Sequence, residues 1–453
     1  MGWLLNLPVS LWRRLLLIGQ GLGALAMLIG TGLKALSGSG ATFADRLKAE
    51  LSSPVSQRRA FALLRLVQPN LVLRTRFITS YPNTGTAVTS RRADVLEVLS
   101  RDEDFGVVYG PRMETITGGE NFFLGMANTA RYTRDVSNMR LAVRRDDVAS
   151  LVKPMVAGSA AELVAAAPGR IDVPQALTLP TAARLLETYF GTPGPSQAEI
   201  ADWTTTLFWY LFIDLEADPA LDARAEASAT AFRDWLDAWI VARKGESGAK
   251  DDIIGRCLAM QAGGLPGMSD RDIRNNLIGL MIGELPTTSA AANLALDELL
   301  DRPEALAGAC AAARADDDDR LAAYLFEALR FRPLNPLIYR RALRDTAIAA
   351  GRLRARRIPE GTMVMASNLS AMFDPLEIPH PTDFSIDRPW EVYMLWGYGL
   401  HACFGAYLNR VTIPTMLKPL LARPGLRRAA GPEGRLDLAG TPFPVHLHLE
   451  FDR

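Results

Sequence analysis

Cysteine and histidine are scarce in this chain: 3 and 4 residues of 453. The cysteines are Cys257, Cys310 and Cys403, so a disulfide-stapled scaffold is excluded and each thiol must be judged singly. Two of the histidines, His446 and His448, lie near the C-terminus, and a His-rich metal site is a poor expectation. Net charge is absent as well. Lys+Arg 50 against Asp+Glu 50 leaves no whole-molecule field to draw in nucleic acid, and none is expected as a partner. No internal repeat is visible. Hydrophobic content of 49% with 22% charged residues suits a folded globular chain and excludes global disorder, a collagen-like fibre and a polytopic membrane protein.

What is present begins with a long apolar run. Residues 15–33 carry no charge, and roughly 20 apolar residues suffice to span a bilayer as a helix. Trp3 and Trp12 suit an interfacial position, Arg13 and Arg14 precede the run, and Lys34 follows it. A membrane anchor is favoured over two rivals, a cleaved signal peptide with small residues at 41–44 and a buried or interfacial helix. Gly38 to Gly40, after Ser37, read as a flexible joint. Residues 1–40 are thus expected to be anchor and linker, and 41–453 the body. The positive-inside rule would keep Arg13 and Arg14 in the cytoplasm and send the body across the membrane. That conflicts with a cytoplasmic body unless the segment lies in the interface or re-enters.

The body reads as mainly α with small β-sheets. Helical patterns cover 160–167, 225–244 and 270–300, the last interrupted at Pro286. Asp316 to Asp319 form an acidic helix start leading to Phe331, a better reading than a metal site. Short strands are expected at 338–343, 351–355 and 362–365, with a turn at 358–361. Residues 368–374 and 410–421 read as helical, and a terminal hairpin contains residues 446–449.

Cys403 sits in Trp396-Gly397-Tyr398-Gly399-Leu400-His401-Ala402-Cys403-Phe404-Gly405, which leads straight into a helix. A thiolate is the ligand form of cysteine, and backbone N–H groups at a helix start lower its pKa. Glycines let such a loop lie close to a flat macrocycle. Cys257 and Cys310, without such surroundings, read as structural. The segment resembles the haem-binding loop of the cytochrome P-450 superfamily, F-G-x-G-x-H-x-C-x-G, with Trp396 in place of Phe. Glu327-Ala328-Leu329-Arg330 resembles its E-x-x-R, and 383–389 resembles its meander with Arg388. The motifs stand in the family's order, from about Ala60 onward.

The resemblance implies a triangular helical body around buried haem b, with Cys403 as iron ligand and Trp396, Gly397, Gly399 and Gly405 shaping the loop. It implies that His401 and one of Arg340 and Arg341 meet the haem propionates, with Tyr132, Arg131 and Arg134 as further partners. Tyr132 stands where many bacterial members have His. Glu327, Arg330 and Arg388 would form a buried triad holding the loop, a specificity device more than a source of stability.

In the family the long helix over the haem carries A/G-G-x-D/E-T, whose acid and Thr deliver protons for dioxygen activation. Here the chain reads Gly283-Glu284-Leu285-Pro286-Thr287-Thr288. Glu284 stands early and Pro286 takes the acid's position, so Glu284, Thr287 and Thr288 are the candidate catalytic groups. Proline should also open the helix, with the threonines capping loose carbonyls. The expected activity is monooxygenation of a lipophilic small molecule, by a monomer taking electrons from a ferredoxin or other separate partner. No flavin or nicotinamide fingerprint suggests a fused reductase. The alternative is a peroxide-dependent peroxygenase or fatty-acid hydroperoxide isomerase, weakened because Leu285 stands where peroxide users have Arg. Loop 105–123, aromatics 208–212, Leu280 and Gly283 are expected to line the pocket. Arg140, Arg144 and Arg145 are a candidate docking face for the electron donor. The protein is expected to be membrane-associated, with its catalytic domain in the cytoplasm.

Overall fold

The computed structural model describes residues 9–37, 42, 46, 50, 53–246, 248 and 250–452. Trp3, the joint at 38–40, and Ala41, Phe43 and Ala44 lie outside the described residues. The chain divides into two compact units, each assembled from separate stretches. The first comprises Met1–Ile78, Pro82–Gly106 and Arg330–Ala402; the second comprises Thr79–Tyr81, Val107–Leu329 and Cys403–Arg453.

The first unit opens with helices α1 (Val9–Ser37) and α2 (Pro54–Val67). Ser53 caps α2 by accepting from Ser56 N at 3.3 Å, and Pro54 occupies the first helical turn, where its missing N–H costs nothing. Gly21 of α1 lets the two helices meet, since a Cβ there would collide with Leu66. Arg13 Nη1 donates to Leu376 O at 2.9 Å, and Arg46 Nε donates to Ala35 O at 2.7 Å. Both ends of α1 are thereby tied to its own unit, rather than held off it.

Strands β1 (Asn70–Leu73), β2 (Thr86–Thr89), β3 (Phe105–Gly106), β5 (Ile338–Ala342) and β8 (Met363–Ala366) form one sheet, ordered β1-β2-β8-β5-β3. Only β2 and β8 run parallel; the other pairs are antiparallel, with Arg340 opposite Val364. β6 (Thr346–Ile348) and β7 (Arg356–Ile358) form a separate ribbon. The core joins Ala87, Val95, Leu99, Phe105, Val364 and Phe373. Phe105, expected to line the pocket, is therefore core. The strand expected at 351–355 does not form. Ala349 and Gly351 take positive φ, which turns the chain and delays the strand to Arg356.

The second unit is chiefly helical. It includes α3 (Ala130–Ala142), α4 (Asp270–Leu300), most of α5 (Asp318–Phe331) and α6 (Ala406–Leu421). A capping box of Ser269 and Asp272 starts α4. The break expected at Pro286 is absent: the helix is continuous, with buried proline inside it. One N–H is lost, but hydrogen bonds on either side carry the helix through. The acidic helix start is borne out, with Asp317 capping Arg320 N at 3.0 Å and Asp318 pairing with Lys153 at 2.6 Å. The C-terminal hairpin is instead a three-stranded sheet, with β10 (His448–Glu450) between β4 (Arg170–Asp172) and β9 (Arg427–Arg428).

Candidate active site

The loop before α6 is shaped by its glycines. Gly397 and Gly399 sit at φ +75° and +74°, and a Cβ on Gly399 would strike the Leu99 carbonyl oxygen. Trp396 stacks on Trp390 with ring centroids 5.4 Å apart. The chain passes from the first unit to the second between Ala402 and Cys403. Gly405 is the N-terminal cap of α6, and a Cβ there would meet nothing within 4 Å, so this glycine leaves open room beside the thiol.

Cys403 differs from the other two cysteines. It is exposed, whereas Cys257 and Cys310 are buried as expected of structural thiols. Yet desolvation pushes the Cys403 pKa up, against the lowering pull of the Gly405 and Ala406 N–H groups and the Arg140 charge. Arg140 donates to Phe404 O at 2.8 Å and lies 3.7 Å over the Phe404 ring. It is thus engaged with the cysteine loop. Arg144 and Arg145 are exposed.

Helix α4 passes through the second unit almost wholly buried. Between Asn275 and Ala290 only Gly283 and Thr287 are not, and they lie one turn apart on one face. Thr287 Oγ1 donates to Gly283 O at 2.5 Å, as expected of a threonine capping a carbonyl, which leaves its oxygen free to accept. Thr288 donates to Asn409 Oδ1 at 3.2 Å. Glu284 is buried, and neither carboxylate oxygen has a hydrogen-bond partner. Burial raises its pKa to about 8, against slight opposition from the nearby Thr288 hydroxyl. Glu284 is accordingly a protonated acid at neutral pH.

In the first unit β5 separates the two candidate arginines: Arg340 is buried and Arg341 exposed. The side chain of His401 is 6% exposed and its pKa falls to about 4, first from desolvation and then from the Arg340 charge. Asp102, which sequence reasoning missed, has its Oδ1 3.7 Å from His401 Nε2 and also feels Arg340. No motif marks Asp102; chain folding alone brings it there. Tyr132 is buried in the second unit. Its neighbours are held by acids, Arg131 by Glu120 at 2.8 Å and Arg134 by Asp135 at 2.7 Å.

Of the three residues expected to form a buried triad, Glu327 and Arg330 are fully buried and Arg388 is not. Arg330 donates to the carbonyls of Met372, Pro381 and Asp383 at 2.8–3.1 Å and lies 4.3 Å over the Phe373 ring. Arg388, only half-buried, donates to Pro379, His380 and the same Asp383 carbonyl at 2.7–3.0 Å. The two arginines pin the meander by its backbone.

These features fit an iron porphyrin. Within the second unit Cys403 offers a soft donor and Gly283 and Gly405 leave room; within the first unit buried Arg340 beside neutral His401 suits a carboxylate. The chain belongs to the cytochrome P450 family, which it matches over residues 84–423. Cyclomarin C epoxidase CymV of Salinispora arenicola (strain CNS-205) is 26% identical over 324 residues, 71% of this chain and 78% of that protein. Linoleate diol synthase of Gaeumannomyces graminis is 36% identical over 83 residues, 18% of this chain and only 7% of that protein's length. Among solved structures, the open cytochrome P450 EryK from S. erythraea has the same fold, with TM-score 0.73, 23% identity and coverage of 88% of this chain and 97% of that one. The protein is a cytochrome P450 monooxygenase with haem b, iron protoporphyrin IX, as cofactor.

Proposed function

We propose that this enzyme inserts one oxygen atom of dioxygen into a lipophilic small molecule, using electrons from a separate ferredoxin-type partner. The observation that carries this reading is Glu284, a buried, unpartnered acid with a pKa of about 8, on the turn of α4 where Gly283 and Thr287 face open space. Bound haem supplies the redox centre at which dioxygen is activated. Cys403 would hold the iron as a thiolate, with Arg140 and two backbone N–H groups steadying the sulfur charge. Arg340 and His401 hold propionate carboxylates, and Glu327, Arg330 and Arg388 keep the loop in place. Glu284 retains a proton at working pH, and Thr287 Oγ1 accepts a hydrogen bond from water that carries it.

Peroxide chemistry would need no separate electron donor. The short similarity to linoleate diol synthase supports a fatty-acid-like substrate and keeps hydroperoxide use as the rival outcome. A lipid panel turned over with a surrogate ferredoxin system, beside peroxide alone, separates the two. Reductant and dioxygen should give product in the wild type, and Thr287→Ala should divert electrons to hydrogen peroxide. Product from peroxide alone, unaffected by Thr287→Ala or Glu284→Gln, would favour the rival.

Membrane association belongs to the same reading. Helix α1 exposes Leu11, Trp12, Leu15, Ile18, Leu22 and Leu25 while both of its ends are tied to the body. This arrangement supports a helix lying in the interface rather than spanning, with the catalytic domain cytoplasmic. It also removes the conflict with the positive-inside rule, since nothing need be translocated.

A further inference from the structure

Two of the four histidines stand together, far from the cysteine loop in sequence. His446 lies at an isolated bridge to Asp437, and His448 begins β10. Two residues apart in extended chain, they point to one face. Their rings stack with centroids 6.1 Å apart and planes 14° from parallel. On the neighbouring strand β4, Asp172 is in register with His448. Its Oδ2 lies 2.6 Å from His446 Nδ1 and 3.8 Å from His448 Nε2. Its other oxygen is held by the Leu447 N–H at 3.1 Å, which fixes the carboxylate and aims Oδ2 at both rings. One ligand atom from each of the three residues lies within 4.8 Å of the others.

We propose that Asp172, His446 and His448 bind a borderline divalent cation of the Zn²⁺ type, a second metal separate from the haem iron. Two imidazoles and one carboxylate leave a fourth, solvent-facing position for water, which completes a tetrahedron. With metal–ligand bonds of about 2.0–2.2 Å, tetrahedral ligand atoms sit roughly 3.3 Å apart. The separations of 2.6 and 3.8 Å fall on either side of that value, so modest side-chain shifts close the site. The nitrogen donors disfavour Ca²⁺ and Mg²⁺, which prefer all-oxygen shells. His446 is 46% exposed and Asp172 16%, so the ion has a route in from solvent while its anionic ligand is sheltered. The ion would clip β10 to β4, strands that meet only through long-range folding. A cation bound by the folded chain alone adds stability in proportion to the logarithm of its concentration above Kd.

The test uses untagged, haem-loaded, full-length protein freed of adventitious metal by chelation, titrated calorimetrically with ZnCl₂ and separately with CaCl₂. The expected result is saturable binding of one Zn²⁺ per chain, no Ca²⁺ binding, and a rise in thermal midpoint with Zn²⁺. His446→Ala, on the more exposed side of the cluster, and Asp172→Asn should each weaken Zn²⁺ binding by about tenfold or more. The haem spectrum should be unchanged in both. The absence of saturable Zn²⁺ binding to the wild type would overturn the proposal. Equal binding to both variants would do so too, because the ion would then be held elsewhere.

Discussion

Glu284 sets the sharpest expectation among single side chains, because its burial has a thermodynamic signature that needs no substrate. Its folded pKa of about 8 lies above the ordinary 4.5, so the folded chain keeps a proton that the unfolded chain has lost. The contribution is favourable below about pH 4.5 and is lost as pH rises through 8. Glu284→Gln should therefore leave stability near pH 4.5 little changed and raise it at pH 8, by up to about 4 kcal/mol. Chemical unfolding at the two pH values measures this, and an equal effect at both would mean the acid is ionised in the fold. Arg330→Ala should destabilise by about 3–5 kcal/mol with loss of haem incorporation, since the Met372 and Pro381 carbonyls lose the Arg330 donor, Asp383 keeps only Arg388, and buried Glu327 loses a neighbouring charge. Normal haem content and an unchanged unfolding midpoint would refute that role. Residue types in fixed local spacing were legible in the sequence: Cys403 among its glycines, Glu327 and Arg330 one turn apart, Glu284 near Thr287. Arg140 and Asp102 were not, because each acts through a contact that only tertiary folding creates.

Among the elements, α1 shows what hydropathy can and cannot say. The apolar run was evident, but its attachment through Gly21 and Arg13 depends on Leu66 and Leu376, far along the chain. A chain starting at Ala41 should move from the membrane fraction to the supernatant, and equal partitioning of both forms would remove the membrane reading. For an interfacial helix, single cysteines placed at Val9 and Leu36 should react with an impermeant reagent from the same side. Labelling of only one of them would indicate a span. Helix α4 carries a related lesson. Proline read as a break, yet the helix continues, because burial along both sides of Pro286 outweighs one missing hydrogen bond. The strands fared by range. β5 and β8 were visible as β-rich runs near one turn, whereas β10 pairs with β4 on one side and β9 on the other in a way that no local pattern announces.

For the whole molecule, zero net charge means that the proposed electron donor would have to be recognised by local patches. The fold class was legible because motifs spread over much of the chain stood in one order, and the family match at residues 84–423 covers the same ground. The identity of the oxidant was not legible, because it depends on how one acid and one hydroxyl are placed on α4. The proposal of dioxygen chemistry rests on a protonated Glu284 and a Thr287 oxygen able to accept. Turnover of a responsive lipid under ¹⁸O-labelled dioxygen, with a ferredoxin system and catalase present to remove free peroxide, tests that account most directly. Product carrying one labelled oxygen atom, formed only when electrons are supplied, is the predicted result. Unlabelled product, or product formed from an unlabelled hydroperoxide without any electron donor, would contradict it.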